Sequence, residues 1–122
     1  IQKVDLYALD EPSAFLDVED RIAVAKFLQK FVRSFGKSAI IIDHDLQLMD
    51  LVSDSMVIFE GTSSVAGVAT SPMPKNDAMN RFLESLDISF RRDVKTSRHR
   101  VNKEASRLDK EQKSTGNYYF RK

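Results

Sequence analysis

Leu6-Tyr7-Ala8-Leu9-Asp10-Glu11-Pro12-Ser13-Ala14-Phe15-Leu16-Asp17 is the stretch on which the reading of this chain turns. With Val4 it begins as a nearly continuous apolar run and ends abruptly in two acids, a proline and a serine, the pattern of a buried parallel strand with polar residues at its C-terminal end. Asp17 then offers a helix N-cap, and Glu19 and Asp20 fall in the first turn, where the helix dipole favours negative charge. Val24, Phe27, Leu28, Phe31, Val32 and Phe35 recur at three- and four-residue spacing up to Gly36, which predicts an amphipathic helix. Ser38-Ala39-Ile40-Ile41-Ile42 reads as a second fully buried strand that runs into Asp43-His44-Asp45, and Leu46, Met49 and Val52 mark a short helix after it. Strand, helix, strand predicts a right-handed parallel crossover, which gathers the two polar strand ends at one edge of the sheet.

Further on, Met56-Val57-Ile58-Phe59 predicts a third strand that turns through residues 60–64 into an antiparallel return over 65–69. Pro72 and Pro74 stop that strand, Asn76 or Asp77 is positioned to cap a helix, and Met79, Phe82, Leu83 and Leu86 give the helix its apolar stripe. From Arg91 onward the composition changes. Residues 1–90 hold eight Lys and Arg against fourteen Asp and Glu, a net −6, whereas residues 91–122 hold eleven against four, a net +7. The overall +1 therefore hides an acidic portion and a basic one. A short charged helix is expected over 105–113, followed by Tyr118-Tyr119-Phe120 as an aromatic anchor. At 122 residues, 42% hydrophobic, the chain is long enough for one domain at most and too apolar to be disordered. It has no cysteine, which excludes disulfides, thiolate metal sites and iron–sulfur ligation within it. It has no long apolar run, which argues against a membrane span or signal peptide and for a cytoplasmic location.

The acid pair admits two readings. Asp10 and Glu11 either simply terminate a strand, or act together on a nucleotide, the first holding Mg²⁺ and the second polarising an attacking water. His44 is similarly divided between ordinary surface packing and catalysis. A His-Asp metal phosphohydrolase would need further histidines, and His99 in the basic segment is the only other one. Asp43 and Asp45 are read as supporting or solvated residues.

The flanking residues weigh on that choice. Asp10 through Asp17 closely resembles the end of the Walker B strand and the D-loop of ATP-binding-cassette (ABC) ATPases, where an acidic pair is followed by Pro, a small polar residue and a segment closing on Leu-Asp. His44, 33 residues beyond Glu11, resembles the switch histidine of that family. The resemblance implies that Asp10 helps hold Mg²⁺ and nucleotide, that Glu11 is the catalytic carboxylate, and that His44 senses the ATP γ-phosphate and positions water. It also implies that Ser13, Ala14, Phe15, Leu16 and Asp17 face an opposing nucleotide-binding domain.

The stretches 86–93, 98–103, 109–113 and 116–120 are similar to the C-terminal end of the ribosome-recycling ABC ATPases, the RNase L inhibitor family; transporter and DNA-repair relatives do not share this tail. The fold implied is α/β, a partial P-loop NTPase of ABC type that lacks the phosphate-loop strand and carries a basic C-terminal hinge arm. Residues 1–90 would be the C-terminal half of the second nucleotide-binding domain and residues 91–122 the arm. Arg91, Arg92, Arg98, Arg100, Lys103, Arg107, Tyr118, Tyr119 and Phe120 would organise the hinge or touch ribosomal RNA. The function implied is ATP hydrolysis that drives the splitting of ribosomes into subunits. ATP or ADP and Mg²⁺ would be cofactors of the full-length protein, with iron–sulfur clusters confined to an N-terminal domain that this chain does not contain.

The implied partners are the rest of the same domain, the first nucleotide-binding domain, the small ribosomal subunit with its RNA, and release or initiation factors, with no membrane. Two other readings stay open: a fragment of a transporter or chromosome-maintenance ABC ATPase, and a non-catalytic ribosome-binding scaffold. No Gly-x-x-x-x-Gly-Lys-Ser/Thr loop or Leu-Ser-Gly-Gly motif occurs in the chain. The chain alone is therefore expected to lack appreciable ATPase activity. Its open strand edges are expected to be completed by the full-length protein, by a second fragment, or by non-native self-association such as strand exchange.

Overall fold

The computed structural model describes residues 4–93 and 98–119. The chain divides into two compact units, one ending at Ser53 and the other starting at Asp54.

The first unit is built on β1 (Leu6–Asp10) and β2 (Ser38–Ile42), paired in parallel from Leu6↔Ser38 to Asp10↔Ile42. They are joined by α1 (Val18–Ser34), and β2 leads into α2 (Leu46–Val52). The Asp17 carboxylate accepts the amides of Glu19 and Asp20, the expected cap, and Gly36 closes α1 at φ +59. There the Gly36 and Lys37 amides reach back to the carbonyls of Arg33 and Val32, a Schellman end that a left-handed residue makes possible. Tyr7 on the inner face of β1 meets the Phe31 ring edge-on at 5.4 Å, and Phe27 and Phe35 flank Phe31 along the same stripe of α1. Ala25 and Leu48 are the buried apolar residues of this unit.

The strands differ from expectation in one respect. Both read as fully buried, yet burial alternates along each, and Leu6, Ile40 and Ile42 are 53%, 56% and 63% exposed. A parallel sheet is buried on both faces only when helices cover both.

The second unit begins with β3 (Ser55–Met56), which pairs antiparallel with β6 (Met73–Pro74); between them β4 (Phe59–Thr62) and β5 (Ala66–Ala69) form the expected hairpin. The single strand predicted at 56–59 is thus interrupted. At the break the Ile58 amide donates to the Thr70 side-chain oxygen while the Ile58 carbonyl accepts from the Thr70 amide, so one threonine replaces a ladder step.

The helix α3 (Lys75–Ser85) follows, with Ala78, Met79 and Leu83 buried. Its N-cap is Pro74, not Asn76 or Asp77. Proline already supplies the extended backbone of a cap, and Asp77 lies inside the first turn, where it meets the positive end of the helix dipole. Strands β7 (Phe90–Arg92) and β8 (His99–Val101) pair antiparallel, and α4 (Arg107–Ser114) is capped by the Ser106 hydroxyl. Buried Ser89, Asn102, Asp109 and Gln112 tie these elements together. Asn102 donates to Ser89 Oγ and to Gln112, Ser89 Oγ donates to Asp109, and Gln112 donates to the carbonyls of Phe90 and Asn117. Tyr119 is buried, and its amide donates to Asn80 of α3. Among the described residues no helix is long and apolar enough to cross a membrane.

Candidate functional site

The parallel register sets Asp10 opposite Ile42, so the acid pair and the Asp43-His44-Asp45 turn leave the same edge of the β1–β2 sheet. The Glu11 amide donates to the Ile42 carbonyl at 2.7 Å, and the backbone then turns sharply, with Glu11 at φ +45. A glutamate gains nothing from the left-handed region, and residues held there cluster at working sites. Glu11 Oε1 lies 3.5 Å from His44 Nδ1, with the two side chains 55% and 74% exposed. A carboxylate beside an imidazole at this range, both open to solvent, leaves an acceptor oxygen that can face a bound water.

Asp10 is exposed at the end of β1. Among the described residues no three His, Cys, Asp or Glu side chains gather as a metal cage. A lone strand-end carboxylate nonetheless suits Mg²⁺, which keeps several waters and takes one or two carboxylates together with phosphate oxygens.

The loops on either side of the site are laced together. Ser13 is only 1% exposed; its hydroxyl donates to Asp43 Oδ1 at 2.8 Å and its amide to Asp43 Oδ2 at 3.0 Å. Asp43 Oδ1 also accepts the Asp45 amide at 2.8 Å. Burial pushes the Asp43 carboxyl upward, but the hydrogen bonds from Asp45 and Ser13 outweigh it and hold the group below its ordinary range. Asp45 caps α2 through the Leu48 amide and pairs with Arg21, whose Nε donates to the Leu16 carbonyl at 2.9 Å. Ala14 and Leu16 are half-buried, Phe15 is fully exposed at φ +62, and Asp17 serves as the cap of α1.

The basic candidates belong to the second unit. Arg91 and Arg100 are cross-strand partners. Arg91 donates to Asn102 Oδ1 at 3.0 Å, and Arg100 lies 3.3 Å from Asp93. Arg98, Lys103 and Arg107 are exposed and Arg92 is half-buried. Tyr118 is half-buried, the Tyr119 ring sits 5.6 Å from that of His99, and Phe120 lies outside the described residues.

Sequence reasoning placed Glu11 and His44 at one sheet edge and left Asp43 as a supporting or solvated residue, without its partner Ser13, and it missed Arg21. One signal for Arg21 was available: a cation in the first turns of a helix opposes the dipole and asks for a local partner. The Asp43 grip on Ser13 carries no such signal, because Ser13 lies 30 residues away.

No family model matches the chain. Translation initiation factor RLI1 of Saccharomyces cerevisiae is 43% identical to it over 116 residues, 95% of this chain and 19% of that protein. An uncharacterized ABC transporter ATP-binding protein of Methanocaldococcus jannaschii is 45% identical over the same shares. Among solved structures, the complex of the archaeal ribosomal stalk protein aP1 with the archaeal ribosome recycling factor aABCE1 superposes with a TM-score of 0.87 at 47% identity, covering 95% of this chain and 22% of that one. The chain thus spans about one fifth of the length of the curated relatives it matches.

Proposed function

This chain is a homologue of the ribosome-recycling ABC ATPases, the RNase L inhibitor family, matching a stretch of their C-terminal nucleotide-binding domain, and we propose that it supplies the hydrolytic edge of an ATP site in a protein that splits ribosomes. The observation that carries this reading is the meeting of Glu11 and His44 at 3.5 Å on the edge where both parallel strands end. Asp10 is the residue for Mg²⁺, which when bound neutralises charge on the nucleotide phosphates. Glu11 orients and polarises the attacking water through its free carboxylate oxygen. His44 holds the other end of the line of attack, against the terminal phosphate. Phe15, fully exposed on the loop from Ser13 to Asp17, is the residue of that loop best placed to seat on an opposing domain.

The phosphate-binding loop, its strand and the signature motif come, on this reading, from parts of the protein outside these 122 residues, and the open face carrying Leu6, Ile40 and Ile42 is completed there. Residues 91–122 form the basic hinge arm, with Arg91 and Tyr119 docking it and Arg98, Lys103 and Arg107 exposed toward ribosomal RNA. The iron–sulfur domain, the first nucleotide-binding domain and the ribosomal partners belong to the full-length protein. The relatives named for translation initiation and ribosome recycling support this assignment over the transporter reading.

The test is Glu11→Gln in the full-length protein. Turnover at this site is expected to fall about a hundredfold or more while ATP binding persists, since the substitution removes the base and keeps the shape. Undiminished hydrolysis at that site would assign the chemistry to another group.

A further inference from the structure

His44 lacks a packed environment of its own. Its ring is 74% exposed and meets Glu11 at 3.5 Å, so the geometry of the pair is set by the backbone on either side rather than by side-chain packing around the imidazole. On the His44 side that backbone is fixed by its two aspartate neighbours. Asp45 is held by the Leu48 amide and by Arg21, which also grips the Leu16 carbonyl. Asp43 spends both carboxylate oxygens on Ser13, one on its hydroxyl and one on its amide, and takes the Asp45 amide as a third donor. Hydrogen bonds to an ionised acceptor are about twice as strong as neutral ones, and a two-point grip on one residue also fixes orientation. Ser13 is two residues from Glu11 and two from Phe15, the exposed tip of the same loop.

We propose that Asp43 is a positioning residue that clamps the Ser13 loop to the His44 turn and thereby fixes the Glu11–His44 geometry. The proposal rests on the ATPase reading of Glu11 and His44. A displacement of the 13–17 loop pulls on Ser13, Ser13 carries Asp43, and Asp43 carries the peptide that leads into His44. Arg21 runs in parallel from Leu16 to Asp45, so the loop and the turn move as one body.

The experiment uses the full-length protein, with kcat, KM and ATP affinity measured for Asp43→Ala, Asp43→Asn, Ser13→Ala and the Asp43→Ala/Ser13→Ala double variant. Asp43→Ala is expected to lower kcat about ten- to a hundredfold, the cost of misplacing a reacting group by about an ångström, with ATP affinity changed less than about threefold. Asp43→Asn keeps one acceptor oxygen and should recover part of the loss. The double variant should be no slower than Asp43→Ala, because both changes cut one link. Should Asp43→Ala fail to fold, Ser13→Ala, which removes only the hydroxyl, carries the test through the same kcat and affinity split. Wild-type kcat in Ser13→Ala and Asp43→Ala, or losses that multiply in the double variant, would overturn the clamp. If these variants are silent while Glu11→Gln abolishes turnover, the clamp alone fails; if Glu11→Gln is also silent, the ATPase reading fails with it.

Discussion

Asp109 shows what a single buried carboxylate does for the second unit. It accepts the Ser89 hydroxyl and the Ala105 amide and lies 3.5 Å from Lys113 Nζ. The Ser89 hydrogen bond, with help from Ala105 and Lys113, lowers its pKa against the upward push of burial. A carboxyl whose folded pKa is depressed contributes stability that is complete above the unfolded value, about 3.9, and is lost as pH falls through the lower folded value. Asp109→Asn is therefore expected to be less stable than wild type at neutral pH and to lose less stability on acidification below about pH 4, a convergence that urea titrations across pH will show. Equal acid slopes would mean that Asp109 is not the group that titrates. At this scale legibility in the sequence was uneven. Asp17 was readable as a cap because its partners lie two and three residues away, whereas the Asp43 and Asp109 contacts close loops of 30 and 20 residues.

Among the elements, α1 formed where periodicity and its Asp17 cap put it, because both signals are local, and α4 (Arg107–Ser114) formed within about two residues of the charged helix expected over 105–113. The 56–59 strand split because each half found a different partner, a choice made by β5 and β6 rather than by the residues of the strand. The β4–β5 hairpin also depends on Gly61, which sits at φ +148, where a Cβ would come within 2.1 Å of the Ala66 carbonyl oxygen. No rotamer relieves a clash with backbone. Gly61→Ala is expected to destabilise the second unit by more than about 1 kcal/mol, through opening of this hairpin. Amide hydrogen exchange of Glu60 and Val68, paired across it, will report the change, and unaltered protection would show that the turn relaxes freely.

For the whole molecule, charge separates along the chain: the acid pair at the strand edge lies in the first unit, and the exposed cations Arg98, Lys103 and Arg107 lie in the second. On the proposed function, reversal of Lys103 and Arg107 to glutamate weakens ribosome association of the full-length protein and flattens its salt dependence, while nucleotide affinity stays unchanged. Pelleting with ribosomes across a salt series measures this, and identical curves would assign the arm a purely internal role. The amino-acid sequence by itself determined the two parallel strands, the helix between them and the arrival of Asp10, Glu11 and His44 at one sheet edge, since apolar runs, helical periodicity and the polar residues that end each run are properties of neighbouring residues. Only the tertiary structure decided that Asp43 and Arg21 bind the two loops into one body, that one face of the sheet stays open, and that a buried Ser-Asn-Asp-Gln network holds the basic segment. Those outcomes depend on which distant groups come within hydrogen-bonding reach, and that is settled by packing in three dimensions.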